Sequence, residues 1–183
     1  RLVRQICSQM GQTLSWKIEL SSMLSQIGCV TVPEPTLAKV FQGSALKVEE
    51  MRMFASHPLV GKDLLSKIPR MEEIAEIISY QEKRYNGSGI PRDSRNGQQI
   101  PYASRLLKVA LDYDVLINMG LAKYDAISEM ESRAGWYDPE IFQALKDILN
   151  LEISYVVQNV RIDDLNTNMI LAEDVKGMLE DFV

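Results

Sequence analysis

The sequence predicts an all-α domain over residues 1–150, followed over 151–183 by the start of a small β-containing module. Two observations carry this prediction. Apolar residues recur at helical spacing from Val3 to Ile148, with glycines and prolines at the breaks. After Leu151 the period falls to two: Ile153, Tyr155 and Val157 alternate with Ser154, Val156 and Gln158, the pattern of a strand running towards Val160 and Ile162.

Taken in order, Val3, Ile6, Met10 and Leu14, then Ile18, Leu20, Met23, Leu24 and Ile27, describe two helices with a joint at Gly11. Gly28 ends the second. Residues Cys29 to Pro33 read as extended, with a short helix expected over Thr36 to Phe41 once the prolines at 33 and 35 are passed. Residues 45–67 are helical with an interruption at His57-Pro58, where proline cannot donate to the preceding turn. Leu59, Val60, Leu64, Leu65 and Ile68 form the expected apolar stripe beyond it. Met71 to Lys83 is amphipathic, the helical run ending near Arg84. Pro101 opens a strong helix that Gly120 stops, and Ala122 to Arg133 forms another. Asp138 caps the last one, with Pro139 in its first position.

The totals exclude several classes. At 183 residues with 46% hydrophobic and 25% charged side chains, there is material for one well-cored domain and part of a second. A net charge of −5 argues against nucleic acid and against an anionic membrane surface as the main partner. Tyr80, Tyr85, Tyr102, Tyr113, Trp136 and Tyr137 are scattered without basic interleaving, which leaves nucleic-acid recognition unsupported. No apolar run reaches membrane-spanning length, and no signal peptide opens the chain, so a cytoplasmic location is expected. Cys7 and Cys29 lack the flanking Cys or His of a zinc site and read as reduced structural thiols. An opening on Arg1 and a close on Phe182-Val183 raise the expectation of further chain on both sides.

One stretch asks for a functional reading. After the helix ending near Arg84 come Gly87, Ser88, Gly89, Ile90, Pro91 and Arg92, a turn whose glycines permit positive φ and exposed amides. Such a turn can hold a phosphate through its amides with Arg84 or Arg92, present a surface to another protein, or simply serve the fold.

The order of Leu24-Ser25-Gln26-Ile27-Gly28, an extended segment, His57-Pro58-Leu59-Val60-Gly61 and Gly87-Ser88-Gly89-Ile90-Pro91 resembles the HD-GYP family. This is a branch of the HD superfamily of metal-dependent phosphohydrolases. The likeness continues through Ile100 to Arg105, Tyr113-Asp114 and Asp138-Pro139-Glu140, so it covers most of residues 15–150. Asn159 to Val175 resembles the β segment that accompanies such domains in bacterial signalling proteins, often downstream of a phosphoacceptor receiver domain. The resemblance implies an HD-type helical bundle. It also implies, as the family's activity, hydrolysis of cyclic di-GMP at an iron or manganese centre, with a loop thought to dock cyclic-nucleotide synthases.

Several motif positions depart from that pattern. Ser25-Gln26 stand where the family carries His-Asp, Cys29 replaces a lysine, and Gln81 and Glu82 replace two adjacent histidines. Leu111 replaces an aspartate and Ile90 the tyrosine of Gly-Tyr-Pro, which leaves His57 as the one histidine of the ligand set. Neutral Ser and Gln are poor ligands for clustered divalent ions, and Leu111 supplies none. The expectation is therefore a domain that is not an enzyme, with no catalytic residue, metal or cofactor, acting as an interaction or output module in a receiver-linked bacterial regulator. His57 is expected as a cap or packing residue, Glu82 as a solvated carboxylate, and the pocket as partly closed around Leu111. The partners admitted are another protein or a neighbouring signalling domain, cyclic di-GMP bound without hydrolysis, and a second copy of the chain. Residual phosphodiesterase activity is the remaining alternative and would draw on Glu82, Asp112 or Asp114.

Overall fold

The computed structural model describes residues 1–152, with side chains described through residue 149. The β pattern predicted after Leu151 lies outside the described residues. Arg1–Leu151 form one compact unit, and it is all-helical.

Helices α1 (Leu2–Gln9) and α2 (Trp16–Leu24) are separated at Gly11, whose φ of +64° is a left-handed turn that glycine adopts without a Cβ penalty. Ser15 caps α2, accepting from the Ile18 amide. The predicted extended segment is instead a 3₁₀ turn at Ile27–Thr31. Gly28 sits inside that turn because of packing: a Cβ there would lie 1.8 Å from the His57 carbonyl oxygen. Helix α3 (Glu34–Phe41) starts two residues before the predicted Thr36, since Pro35 falls in its first turn, where a missing N–H costs nothing.

The predicted break at His57-Pro58 separates α4 (Val48–Ala55) from α5 (His57–Leu65). The stripe assigned to α5 needs correction. Pro58, Gly61 and Leu65 are buried, whereas Leu59, Leu64 and Ile68 are exposed, because α5 turns the face containing Gly61 towards α6. Met23 of α2 is likewise exposed. Helix α6 (Glu72–Ser79) ends five residues before Arg84, and turns carry the chain onward from Tyr80.

α6 joins the two parts of the core. Ile74 and Ile78 pack with Leu65, Leu20, Leu24 and Ile27, while Ile77 faces α7 (Tyr102–Asn118) and the larger core. Burying each isoleucine is worth about 1.5–3 kcal/mol. Ser104 Oγ donates to the Ile77 carbonyl at 2.7 Å and ties α7 to α6. Helices α8 (Lys123–Ser132) and α9 (Pro139–Glu152) complete the larger core with Met130, Ile141 and Leu145. As predicted, Asp138 caps α9 by accepting from the Glu140 and Ile141 amides. It also pairs with Arg105, whose Nε donates to the Ile100 carbonyl at 3.0 Å. No helix among the described residues is long and apolar enough to cross a membrane.

Candidate functional site

The resemblance-derived positions divide into three groups. The first is a buried knot where α2, α5 and the end of α6 meet. His57 opens α5 and is buried, with Nδ1 2.7 Å from the Phe54 carbonyl and Nε2 2.9 Å from Gln81 Nε2. A carbonyl can only accept, so Nδ1 carries the proton and Nε2 accepts from the Gln81 amide. Gln81 Nε2 donates a second bond to the Ser25 carbonyl at 2.9 Å, while Gln81 Oε1 is buried without a protein partner. Burial pushes the His57 pKa down, opposed by the Phe54 carbonyl and the charge on Glu82 and reinforced by Lys108. His57 is thus buried with a hydrogen bond at each ring nitrogen.

The second group centres on Lys108 of α7. Its side chain is 6% exposed, and Nζ lies 2.7 Å from Glu82 Oε2 and 2.8 Å from Asp112 Oδ1. Asp112 Oδ2 accepts from Tyr137 Oη at 2.8 Å and faces the Arg133 guanidinium at 3.6 Å. Burial raises the Tyr137 pKa, and the Asp112 carboxylate raises it further. One expectation is corrected here. Glu82 is a paired carboxylate, because it converges with Asp112 on an ammonium that enters from α7. Leu111 turns towards the larger core instead, so it closes no pocket beside Ser25 and Gln26.

The third group is the turn after α6. Gly87 and Gly89 have φ of +89° and +92°, and a Cβ on Gly89 would meet the Glu82 carbonyl at 2.4 Å. Arg84 and Ser88 close the turn by an N–H···O bond of 2.9 Å, and Ser88 donates from both backbone and side chain to Asn86 Oδ1. Tyr85 and Asn86 amides donate to the Trp136 and Gly135 carbonyls, each at 2.9 Å. Beneath the turn, Lys83 is fully buried: Nζ donates to the Pro91 and Asp93 carbonyls at 2.8 and 3.0 Å and pairs with the Asp93 carboxylate. The Ile90-Pro91 peptide is cis. The Arg84 guanidinium carbon lies over the Trp136 ring, 3.3 Å from its centroid, while Ser88 and Arg92 are exposed.

Gln26 and Cys29 belong to none of these groups. Gln26 is exposed, and its Oε1 accepts from Cys29 Sγ at 3.2 Å. Sequence reasoning missed Lys83, Lys108, Arg133 and the Trp136 platform. Only Lys108 left a local sign, its spacing of four from Asp112 on one helix face.

The profile of the HD domain family matches residues 1–141. The chain belongs to the HD domain family. A curated relative, the 3′3′-cGAMP-specific phosphodiesterase 3 of Vibrio cholerae serotype O1, is 29% identical over 90 residues, covering 49% of this chain and 19% of that protein. Two solved structures share the fold. Bd1817, an HDG"Y"P protein from Bdellovibrio bacteriovorus, aligns with a TM-score of 0.68 at 21% identity, over 81% of this chain and 49% of that one. The cyclic GMP-AMP specific phosphodiesterase of V. cholerae, V-cGAP3, aligns with a TM-score of 0.57 at 20% identity, over 81% and 42%. The chain spans about a fifth of the curated relative's length.

These findings make it an HD domain whose helical fold is shared with an HDG"Y"P protein. They overturn the expectation that the chain is not an enzyme: substitutions at motif positions were the ground for it, and a protein named as a phosphodiesterase is a sequence relative across half of this chain. The described residues themselves do not fit a clustered metal centre. No group of three or more His, Cys, Asp and Glu side chains converges among them, His57 Nε2 is taken by Gln81, and an ammonium already stands between Glu82 and Asp112.

Proposed function

We propose that this HD domain is the output module of a bacterial signalling protein and that it docks a protein partner through the turn from Arg84 to Arg92. The observation that carries this reading is the clamp beneath the turn. A buried Lys83 ammonium, two backbone carbonyls and the strand-like pairing of Lys83 with Gly89 hold it in one shape, while Ser88 and Arg92 face outward. A surface ordered before binding loses little further entropy on docking. The partner class is a cyclic-dinucleotide synthase domain, following the resemblance of the turn. Calorimetry of the purified chain against such a domain tests it. Ser88→Trp or Arg92→Glu should weaken association at least about tenfold without moving Tm. Absence of binding by the wild-type chain, or binding indifferent to both substitutions, refutes it.

Recognition of a cyclic dinucleotide is a second reading, favoured by the names of the relatives and by Arg84 stacked on Trp136 beside the turn. Titration with 3′3′-cGAMP and with cyclic di-GMP, followed by chromatography for linear product, tests it and scores turnover in the same samples. Saturable binding lost in Arg84→Ala supports recognition, and turnover would put an enzymatic role in place of the docking one.

A further inference from the structure

We propose that Glu82 and Asp112 form a cation-binding pair whose resident cation is the ammonium of Lys108, so that this domain holds its site together without a divalent metal. The two carboxylates come from different parts of the chain, the turn after α6 and the third turn of α7. Both aim an oxygen at one nitrogen, at 2.7 and 2.8 Å. That nitrogen is almost wholly buried, and a buried charge is tolerated only when it is paired and hydrogen-bonded. Burial alone would push the Lys108 pKa down, yet Glu82 and Asp112 together hold it above the ordinary lysine value.

Most of the local charge is met without a metal. Glu82 and Asp112 contribute two negative charges and Lys108 one positive, while the Arg133 guanidinium, 3.6 Å from the second Asp112 oxygen, is shared with Glu129 at 3.2 Å. Tyr137 Oη donates to that same oxygen at 2.8 Å, so the carboxylate's hydrogen bonds are also met. A divalent ion added to this set would stand against a buried ammonium and turn the formal charge from minus one to plus one, which is unfavourable beside the desolvated Lys108. His57, the nearby imidazole, cannot turn Nε2 towards such an ion without giving up Gln81.

Removing the ammonium should convert the pair into an open carboxylate site. Thermal melts of the purified chain, with EDTA or with Mn²⁺, and metal content by emission spectroscopy provide the readout, separate from any activity. The wild-type chain should melt at the same temperature in both conditions and carry far less than one metal per chain. Lys108→Met should melt at least about 5 °C lower in EDTA and recover part of that loss in Mn²⁺. Lys108→Met combined with Glu82→Gln should recover nothing from Mn²⁺. If Lys108→Met does not fold, Lys108→Arg, which keeps the charge, should fold and remain indifferent to EDTA and Mn²⁺. Near-stoichiometric metal in the wild-type chain, a wild-type melting point that falls in EDTA, or a Lys108→Met variant as stable as wild type overturns the proposal.

Discussion

Substituting alanine for Gly28 would put a methyl carbon 1.8 Å from the His57 carbonyl oxygen and 2.8 Å from both the His57 carbonyl carbon and the Gly61 nitrogen. Cβ atoms essentially never approach closer than 3.0 Å, so the 3₁₀ turn and α5 must separate by about 1.2 Å, which is 3.0 minus 1.8. All three obstructing atoms are backbone, and no rotamer change relieves them. Overpacking that side chains can absorb costs about 1–3 kcal/mol, and an obstruction made wholly of backbone belongs at the top of that range, near 3 kcal/mol. For a chain of this length that corresponds to a fall in Tm of roughly 6–12 °C. Urea unfolding of wild type and Gly28→Ala, with m values compared to confirm similar denatured states, measures it. Gly11→Ala is the internal control. Gly11 has nothing within 4 Å of the added carbon but a φ of +64°, so only left-handed strain applies, about 1 kcal/mol. The separation should also disturb the His57–Gln81 bond, visible as a shift of the imidazole nitrogens in ¹⁵N spectra. A Gly28→Ala cost no larger than that of Gly11→Ala would refute the close-packing account of this glycine.

Three other perturbations test the surroundings of the site. Asp138→Ala removes the α9 cap and leaves Arg105, whose side chain is 12% exposed, without its carboxylate, for an expected loss of about 4 kcal/mol in urea unfolding; Asp138→Asn, which keeps the cap but not the ion pair, should lose less, and equal losses would show that the cap contributes nothing. Lys83→Met strands the Pro91 and Asp93 carbonyls and should cost about 2–3 kcal/mol, with faster hydrogen exchange at the Arg84 and Gly87 amides that close the turn; unchanged exchange there would mean that the clamp does not hold the turn. His57 gives a pH signature of known sign. Its pKa is depressed in the fold, chiefly by burial, so as pH drops below the ordinary value of 6.5 the unfolded chain takes up a proton that the folded chain refuses. Stability should therefore fall as pH drops below about 6.5, and the slope should diminish in His57→Gln; a wild-type stability that rises as pH drops below that value contradicts a depressed imidazole pKa.

What the sequence revealed and what it hid follow from the range of the interactions involved. The left-handed turn at Gly11, the break at His57-Pro58, the Asp138 cap and the paired glycines of the Gly87–Gly89 turn are set within a few residues, and each stands where local chemistry placed it. Gly28 shows the limit of such reasoning. Helix-ending and close-approach glycines look identical in a string, and only the position of the His57 carbonyl, 29 residues away, distinguishes them. The stripe on α5 was misassigned for a related reason: periodicity gives the spacing of a face but not which face a neighbouring helix covers, and Gly61 admits α6 more closely than Leu64 could. The charged residues were hardest to read. Lys108 and Asp112 can pair within α7, but three separate segments must fold before Glu82 reaches that ammonium and Arg133 reaches that carboxylate. Asking which residue replaced each motif position treats a site as a set of independent ligands. A buried site must also balance its charge, and at Glu82 the balancing residue lies 26 positions away on α7, at a position the resemblance did not single out.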